Sequence, residues 1–181
     1  MDADYTHLLD KCGRQDPKAQ MKLYELYAKR LFVTCFRIVG NMNEAEEAMQ
    51  DAFLKIFTRI DQYDRSKNFE VWMQRIAVNT AIDYVRRQTP LKVELEENTI
   101  VEDDNLTVDE DEIAFSVAKI KEGIRQLATG YRLILTLYLF EGYDMEEISA
   151  ILQIKPSSVR TQYMRGKNKL FELIKNERWI S

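Results

Sequence analysis

The chain has 181 residues, of which 45% are hydrophobic and 31% charged. That size holds one medium domain or two small ones and predicts a packed soluble protein. No apolar run approaches the roughly 20 residues that a bilayer span needs, the acidic N-terminus lacks a signal-peptide core, and two Cys with one His make neither a disulfide framework nor a His-based metal site. These exclusions predict a cytoplasmic protein with no membrane insertion, no cofactor and no metal, in which Cys12 and Cys35 are packing residues.

Six Gly and three Pro are few, and helix-favouring residues are plentiful, so the composition leans all-α. In chain order, a short helix is expected near 4–13. The next stretch, "DPKAQMKLYELYAKRLFVTCFRIVG", has Asp16 as N-cap, Pro17 at the first helical position and Gly40 at the stop. "NEAEEAMQDAFLKIFTRI" follows with a capping box, Asn43 and Glu46. A polar loop, 61–68, leads to "FEVWMQRIAVNTAIDYVRR", which ends before Pro90. Four more helices are expected at 113–126, 130–140, 145–152 and 156–176, the third opened by a capping box of Asp144 and Glu147. No stretch sustains period-two alternation, so no sheet is expected.

Between the two sets of helices the composition changes abruptly. Residues 91–112 hold ten acids and one base, and few aromatics, as an acidic flexible linker would. The predicted organisation is therefore two small helical domains, 1–90 and 113–181, joined by that linker. Although the net charge is −4, residues 113–181 carry eleven bases against seven acids. The total thus hides a basic C-terminal domain, and a nucleic-acid partner stays open.

The pair of helices at 145–152 and 156–176 has the pattern of a helix-turn-helix, with Ile148, Leu152, Ile154 and Val159 as the apolar lock. Wound at about 100° per residue, the second helix packs Val159, Tyr163, Gly166 and Leu170 inward. The opposite face carries Ser157, Thr161, Met164 and Asn168. Long cations flank it, Arg160, Arg165, Lys167 and Lys169, together with Ser158. Central short polar groups with cations at the edges suit a helix in a major groove; a solvated basic face is the alternative. Gln153 stands in the turn where a positive φ often requires Gly.

Two N-terminal stripes sharpen the choice. Opposite the core face of 44–60 lie Glu47, Gln50, Asp51, Leu54 and Thr58, an acidic face with one apolar anchor for a protein partner. Isolated exposed Leu residues are also common on surfaces that bind nothing. Along 69–87, a strip of Trp72, Arg75, Asn79, Asp83 and Arg86 runs between apolar sides, Met73, Ile76 and Tyr84 on one, Val71, Val78, Ile82 and Val85 on the other. It offers a platform for unpaired bases, or a core Trp beside a solvated strip.

These segments, in this order, resemble the extracytoplasmic-function sigma factors of bacterial RNA polymerase, in the sigma-70 family. "AEEAMQDAFLKIF" looks like the family's polymerase-clamp segment, "FEVWMQRIAVNTAIDYVRR" like its −10 helix, and "QLATGYRLILTLYLFEGYDMEEISAILQIKPSSVRTQYMRGKNKL" like its −35 domain. Ala128 departs from the family's usual Pro, and Gln153 from its frequent Gly. The resemblance implies a non-enzymatic polymerase subunit that recognises −35 and −10 elements and promotes melting. Glu47, Gln50, Asp51 and Leu54 would meet the clamp coiled coil of the largest subunit, and the upstream domain the flap. Arg160, Thr161, Met164 and Arg165 would read the −35 element, with Arg132, Ser157, Ser158 and Lys167 on phosphates. Tyr63, Asn68, Phe69 and Asn79 would form a pocket for a flipped −10 base, supported by Trp72, Arg75 and Arg86. The linker would thread the polymerase cleft, and an anti-sigma factor would restrain the free protein. The rival readings are a dimeric helix-turn-helix regulator that acts without being a polymerase subunit, and a helical interaction module with no DNA role.

Overall fold

Proline, glycine and short polar side chains set the helix ends. The structure, a computed structural model, describes residues 3–88 and 110–177, with side chains for 5–87 and 117–175. The chain divides between Thr89 and Pro90 into two compact units. The first contains α1 (Ala3–Gly13), α2 (Pro17–Val39), α3 (Met42–Arg59), a 3-10 turn (Ile60–Gln62) and α4 (Phe69–Gln88). The second contains α5 (Glu110–Gln126), α6 (Thr129–Leu139), α7 (Met145–Leu152) and α8 (Pro156–Glu177). Every regular element among the described residues is helical, as the composition predicts. Of the expected linker, 91–109 lie outside the described residues, while 110–112 already belong to α5.

Asp16 caps α2 as expected, its Oδ1 accepting from the Lys18 and Ala19 amides at 2.8 and 3.3 Å. Gly40 ends that helix at φ 82°, a left-handed conformation that a residue with a Cβ rarely adopts. The expected capping box on α3 is corrected. Asn41, not Asn43, is the cap, its Oδ1 accepting from Asn43 and Glu44 amides. Asn41 is extended, at φ −121° and ψ 138°, directly after the left-handed Gly40, so the next helix starts at once. On α7 the reciprocal box forms as expected: Glu147 N–H donates to Asp144 Oδ1 at 2.7 Å, and Asp144 N–H to Glu147 Oε2 at 3.1 Å.

The core of the first unit is built by α2, α3 and α4, from Leu23, Leu31, Ile38, Ile56, Met73, Val78 and Ile82. Each such side chain contributes about 1.5–3 kcal/mol by leaving water. Cys12 and Cys35 are buried in the same unit. Val71 is a correction: it is 54% exposed rather than aligned with its buried neighbours Val78, Ile82 and Val85. It sits in the first turn of α4, ahead of the buried Ala77 and Val78.

In the second unit Ile124, Leu127, Leu135 and Leu170 form a cluster, flanked by Ile120, Tyr131, Phe140, Tyr163, Leu173 and Ile174. Gly166 lets α8 approach α6 closely. A Cβ there would stand 3.2 Å from Tyr131 Cβ and 3.3 Å from Leu135 Cδ1. The predicted inward face of α8 is thus the packed one, and Gln162, which the sequence did not single out, is buried beside it at 7% exposure.

The turn between α7 and α8 is closed by two bonds across it. Ser149 Oγ donates to Ile154 O at 2.6 Å, and Ile154 N–H donates to Ser149 O at 3.2 Å. Gln153 adopts the left-handed conformation that the sequence position demands, φ 58° and ψ 41°, without being a glycine. Ala128 lies at φ −54°, within the range a proline ring imposes, so that departure leaves the backbone course open to either residue.

Candidate nucleic-acid and polymerase interfaces

Loop 63–68 and the start of α4 are organised around three aromatic rings. Tyr63 packs on Phe69 at 5.0 Å and on Trp72 at 5.5 Å, and Phe69 packs on Trp72 at 5.5 Å. The Tyr63 hydroxyl donates to the Lys67 carbonyl, closing the loop on itself. Asp64 accepts from the Ser66 hydroxyl at 2.7 Å and its amide at 3.0 Å, and these bonds hold its carboxyl below the usual range. Asn68 Oδ1 accepts from the Glu70 and Val71 amides and so caps α4.

The residues expected to receive a flipped base therefore do not all reach the surface. Phe69 is 2% exposed and Tyr63 7%, so their rings form an inner wall, and the Asn68 carbonyl is engaged at the helix end. Three rings close together in sequence bury one another before they meet a ligand. What faces outward is the strip along α4: Trp72 half-buried, Arg75 and Asn79 exposed, Asp83 exposed and Arg86 half-buried. Asp83 lies 3.8 Å from Arg86 and 3.9 Å from Lys55, so the strip's outer end is a charge network.

On α3, Glu47, Gln50 and Thr58 are exposed and Leu54 is 63% exposed, forming the expected outer face. Asp51 differs. It is half-buried and accepts a 3.2 Å bond from the Tyr84 hydroxyl on α4. Burial first, and the Asp51 carboxylate second, push the Tyr84 hydroxyl above its ordinary pKa. Arg87 stacks over the same ring at 4.4 Å, and Lys55 donates to Thr80 Oγ1 at 3.1 Å. A Tyr and an Asp on different helices show no periodic signal, so the sequence could not reveal this tie.

On α8, Ser157, Arg160, Thr161 and Lys167 are exposed, while Ser158, Met164, Arg165 and Asn168 are half-buried. The Thr161 hydroxyl donates back to the Ser157 carbonyl at 3.0 Å, keeping its lone pairs outward. Arg160 is ion-paired with Glu146 of α7 at 2.6 Å, a partner that the single-helix pattern did not disclose. Arg132, on α6, is half-buried, and burial alone lowers its pKa. A guanidinium has so high a starting value that it stays charged. Tyr163 packs edge-on against Tyr138 at 4.9 Å, anchoring the middle of α8.

Comparison with known proteins bears on what these faces serve. The sigma-70 region 2 model matches residues 23–90, and the sigma-70 region 4 model matches 118–170. The ECF RNA polymerase sigma factor SigW of Bacillus subtilis is 30% identical over 170 residues, covering 88% of this chain and 90% of SigW. The chain belongs to the ECF sigma factors. The RNA polymerase sigma-H factor of Pseudomonas aeruginosa is 28% identical, covering 88% of each chain. Among solved structures, the sigma factor RpoE in complex with the anti-sigma factor NepR, from Bartonella quintana, matches in fold. Its TM-score is 0.54 at 19% identity, over 86% of this chain and 96% of that one. This sigma factor has no helix, among its described residues, long and apolar enough to cross a membrane. Nor do the described residues group three or more His, Cys, Asp or Glu as a metal would need.

Proposed function

We propose that this sigma factor binds core RNA polymerase through the outer face of α3, reads a −10 element with α4 and loop 61–68, and reads a −35 element with α8. It acts as a regulatory subunit, the chemistry of synthesis being the polymerase's, and works in the cytoplasm where promoters are. The observation that carries this reading is the order of three exposed faces, on α3, α4 and α8, in two units that match regions 2 and 4.

In this reading each face has a task. On α8, Arg160 and Arg165 present forked donors suited to a guanine edge, and Met164 an apolar end suited to a thymine methyl. Ser157, Ser158, Lys167 and Arg132 meet phosphates, which set register rather than sequence. On α4, a base drawn out of the duplex stacks against Trp72 and is bonded by Asn79, which offers both a donor and an acceptor. Tyr63 and Phe69 support Trp72 from behind, and Arg75 and Arg86 meet the strand's phosphates. On α3, Leu54 is the anchor and Glu47 and Gln50 surround it, while Asp51 fixes α3 to α4 through Tyr84. An anti-sigma factor of the kind found with RpoE would act by covering these faces.

Promoter-dependent transcription by purified core polymerase with this chain added tests the reading. Activity that disappears when the chain is left out is the expected result. No transcription, together with operator binding by a dimer, would establish the rival regulator instead. Within the reading, Arg165→Ala weakens binding by about 1–3 kcal/mol at the base pair it reads. An equal loss on all sequences would make Arg165 a phosphate contact.

A further inference from the structure

Helix α1 precedes residue 23, where the region 2 match begins, so the family comparison assigns it nothing. Its side chains nevertheless converge on loop 61–68 and its anchor. Asp10 is ion-paired with Arg65 of the loop. Gly13 lies against the loop's first residue, where a Cβ would come within 2.8 Å of Asp61 Oδ1. The Tyr5 ring meets Phe69 edge-on at 6.2 Å. The Tyr5 hydroxyl lies 2.8 Å from that of Tyr27, which donates to Glu70 Oε1 at 3.3 Å, so Tyr5 is the donor to Tyr27. Arg30 holds the other Glu70 oxygen.

The start, the middle and the end of the segment 61–70 are thus each tied to α1, directly or through α2. The segment has little regular structure of its own beyond a short 3-10 turn, and the aromatic wall behind Trp72 depends on its course. We infer that α1 is a latch that holds this loop in the geometry that receives an unpaired promoter base, with Asp10 and Tyr5 as positioning residues. The inference rests on the −10 reading of loop 61–68 and α4. Asp10 and Tyr5 touch no base themselves; they act by limiting where Tyr63, Phe69 and Trp72 sit.

The test uses the full chain with core polymerase on a promoter that the complex opens, with 2-aminopurine at the extruded position. Discrimination is the ratio of binding to forked DNA carrying the preferred base and to the same DNA with that base replaced. The double variant Asp10→Asn, Tyr5→Phe keeps side-chain shape and is expected to lower this ratio by roughly fivefold. Core-polymerase affinity and the unfolding midpoint should stay near wild type. The charge swap Asp10→Arg with Arg65→Asp should restore discrimination relative to Asp10→Arg alone. Unchanged discrimination in the folded double variant overturns the latch. So does a loss matched by an equal fall in core affinity, which marks α1 as structural only. A wild-type complex that shows no discrimination overturns the −10 reading itself, and is recognised by failing before any variant is made.

Discussion

Gln153 and Gly166 illustrate opposite uses of a small or flexible residue in the same motif. Gln153 carries a Cβ into the left-handed region, which costs about 1–2 kcal/mol. Gly166 carries none where one would press to 3.2 Å from Tyr131 Cβ. We expect Gln153→Gly to raise stability by about 0.5–1 kcal/mol, once the greater freedom of glycine in the unfolded chain is deducted, as a higher urea midpoint of the full chain. An unchanged or lower midpoint would mean that the Gln153 side chain repays its strain through contacts. The helix-turn-helix pattern pointed to this position as one where the turn often takes a positive φ, and Gln153 takes it. The pattern did not show the pairing of Arg160 with Glu146, since those residues lie on different helices, fourteen positions apart.

Helices were legible where a capping residue and an apolar period agree, and less so where two cap residues compete. Asp144 with Glu147 placed α7 correctly, whereas Asn41 overrode Asn43 because the left-handed Gly40 leaves the chain already aimed into α3. The wheel found the packed face of α8 but could not tell an outward strip from a covered one near loop 61–68, where three rings shield each other. The tyrosines of the first unit also share a hydroxyl chemistry. Tyr5, Tyr27, Tyr63 and Tyr84 all have pKa values raised above 10.0, with burial the largest cause each time. A raised value means that the folded state holds the proton more tightly. The stabilisation is complete below the unfolded value of 10.0 and is lost as pH rises above it. Urea midpoints measured from about pH 8 to about pH 11 should fall steeply at the upper end, and less steeply in Tyr27→Phe. Equal slopes would show that Tyr27 keeps its ordinary pKa in the folded protein.

Across the whole chain, charge is segregated rather than balanced. Residues 91–112 carry ten acids, and 155–178 carry seven bases against two acids. Opposite charges on one chain attract over about a Debye length, and we propose on that ground that the acidic stretch competes with DNA for the basic helix in the free protein. Replacing the acids of 102–112 by their amides should tighten binding of the free chain to −35 DNA about tenfold at low salt, and less as salt is added. Binding that stays unchanged at low salt would leave the acidic stretch a tether only. The division into two units was legible from this composition shift together with the stop at Pro90, because acidic, aromatic-poor sequence favours a linker over a packed core.

Cys12 and Cys35, buried in the first unit, carry one last consequence. Burial, and next the Asp16 carboxylate, push the Cys12 thiol up to about 11, so at neutral pH it is not a thiolate. Peroxides and disulfides react with thiolates that solvent can reach. In the folded unit the Cys12 thiol is therefore a poor target for oxidants, and Cys35 is likewise out of solvent's reach.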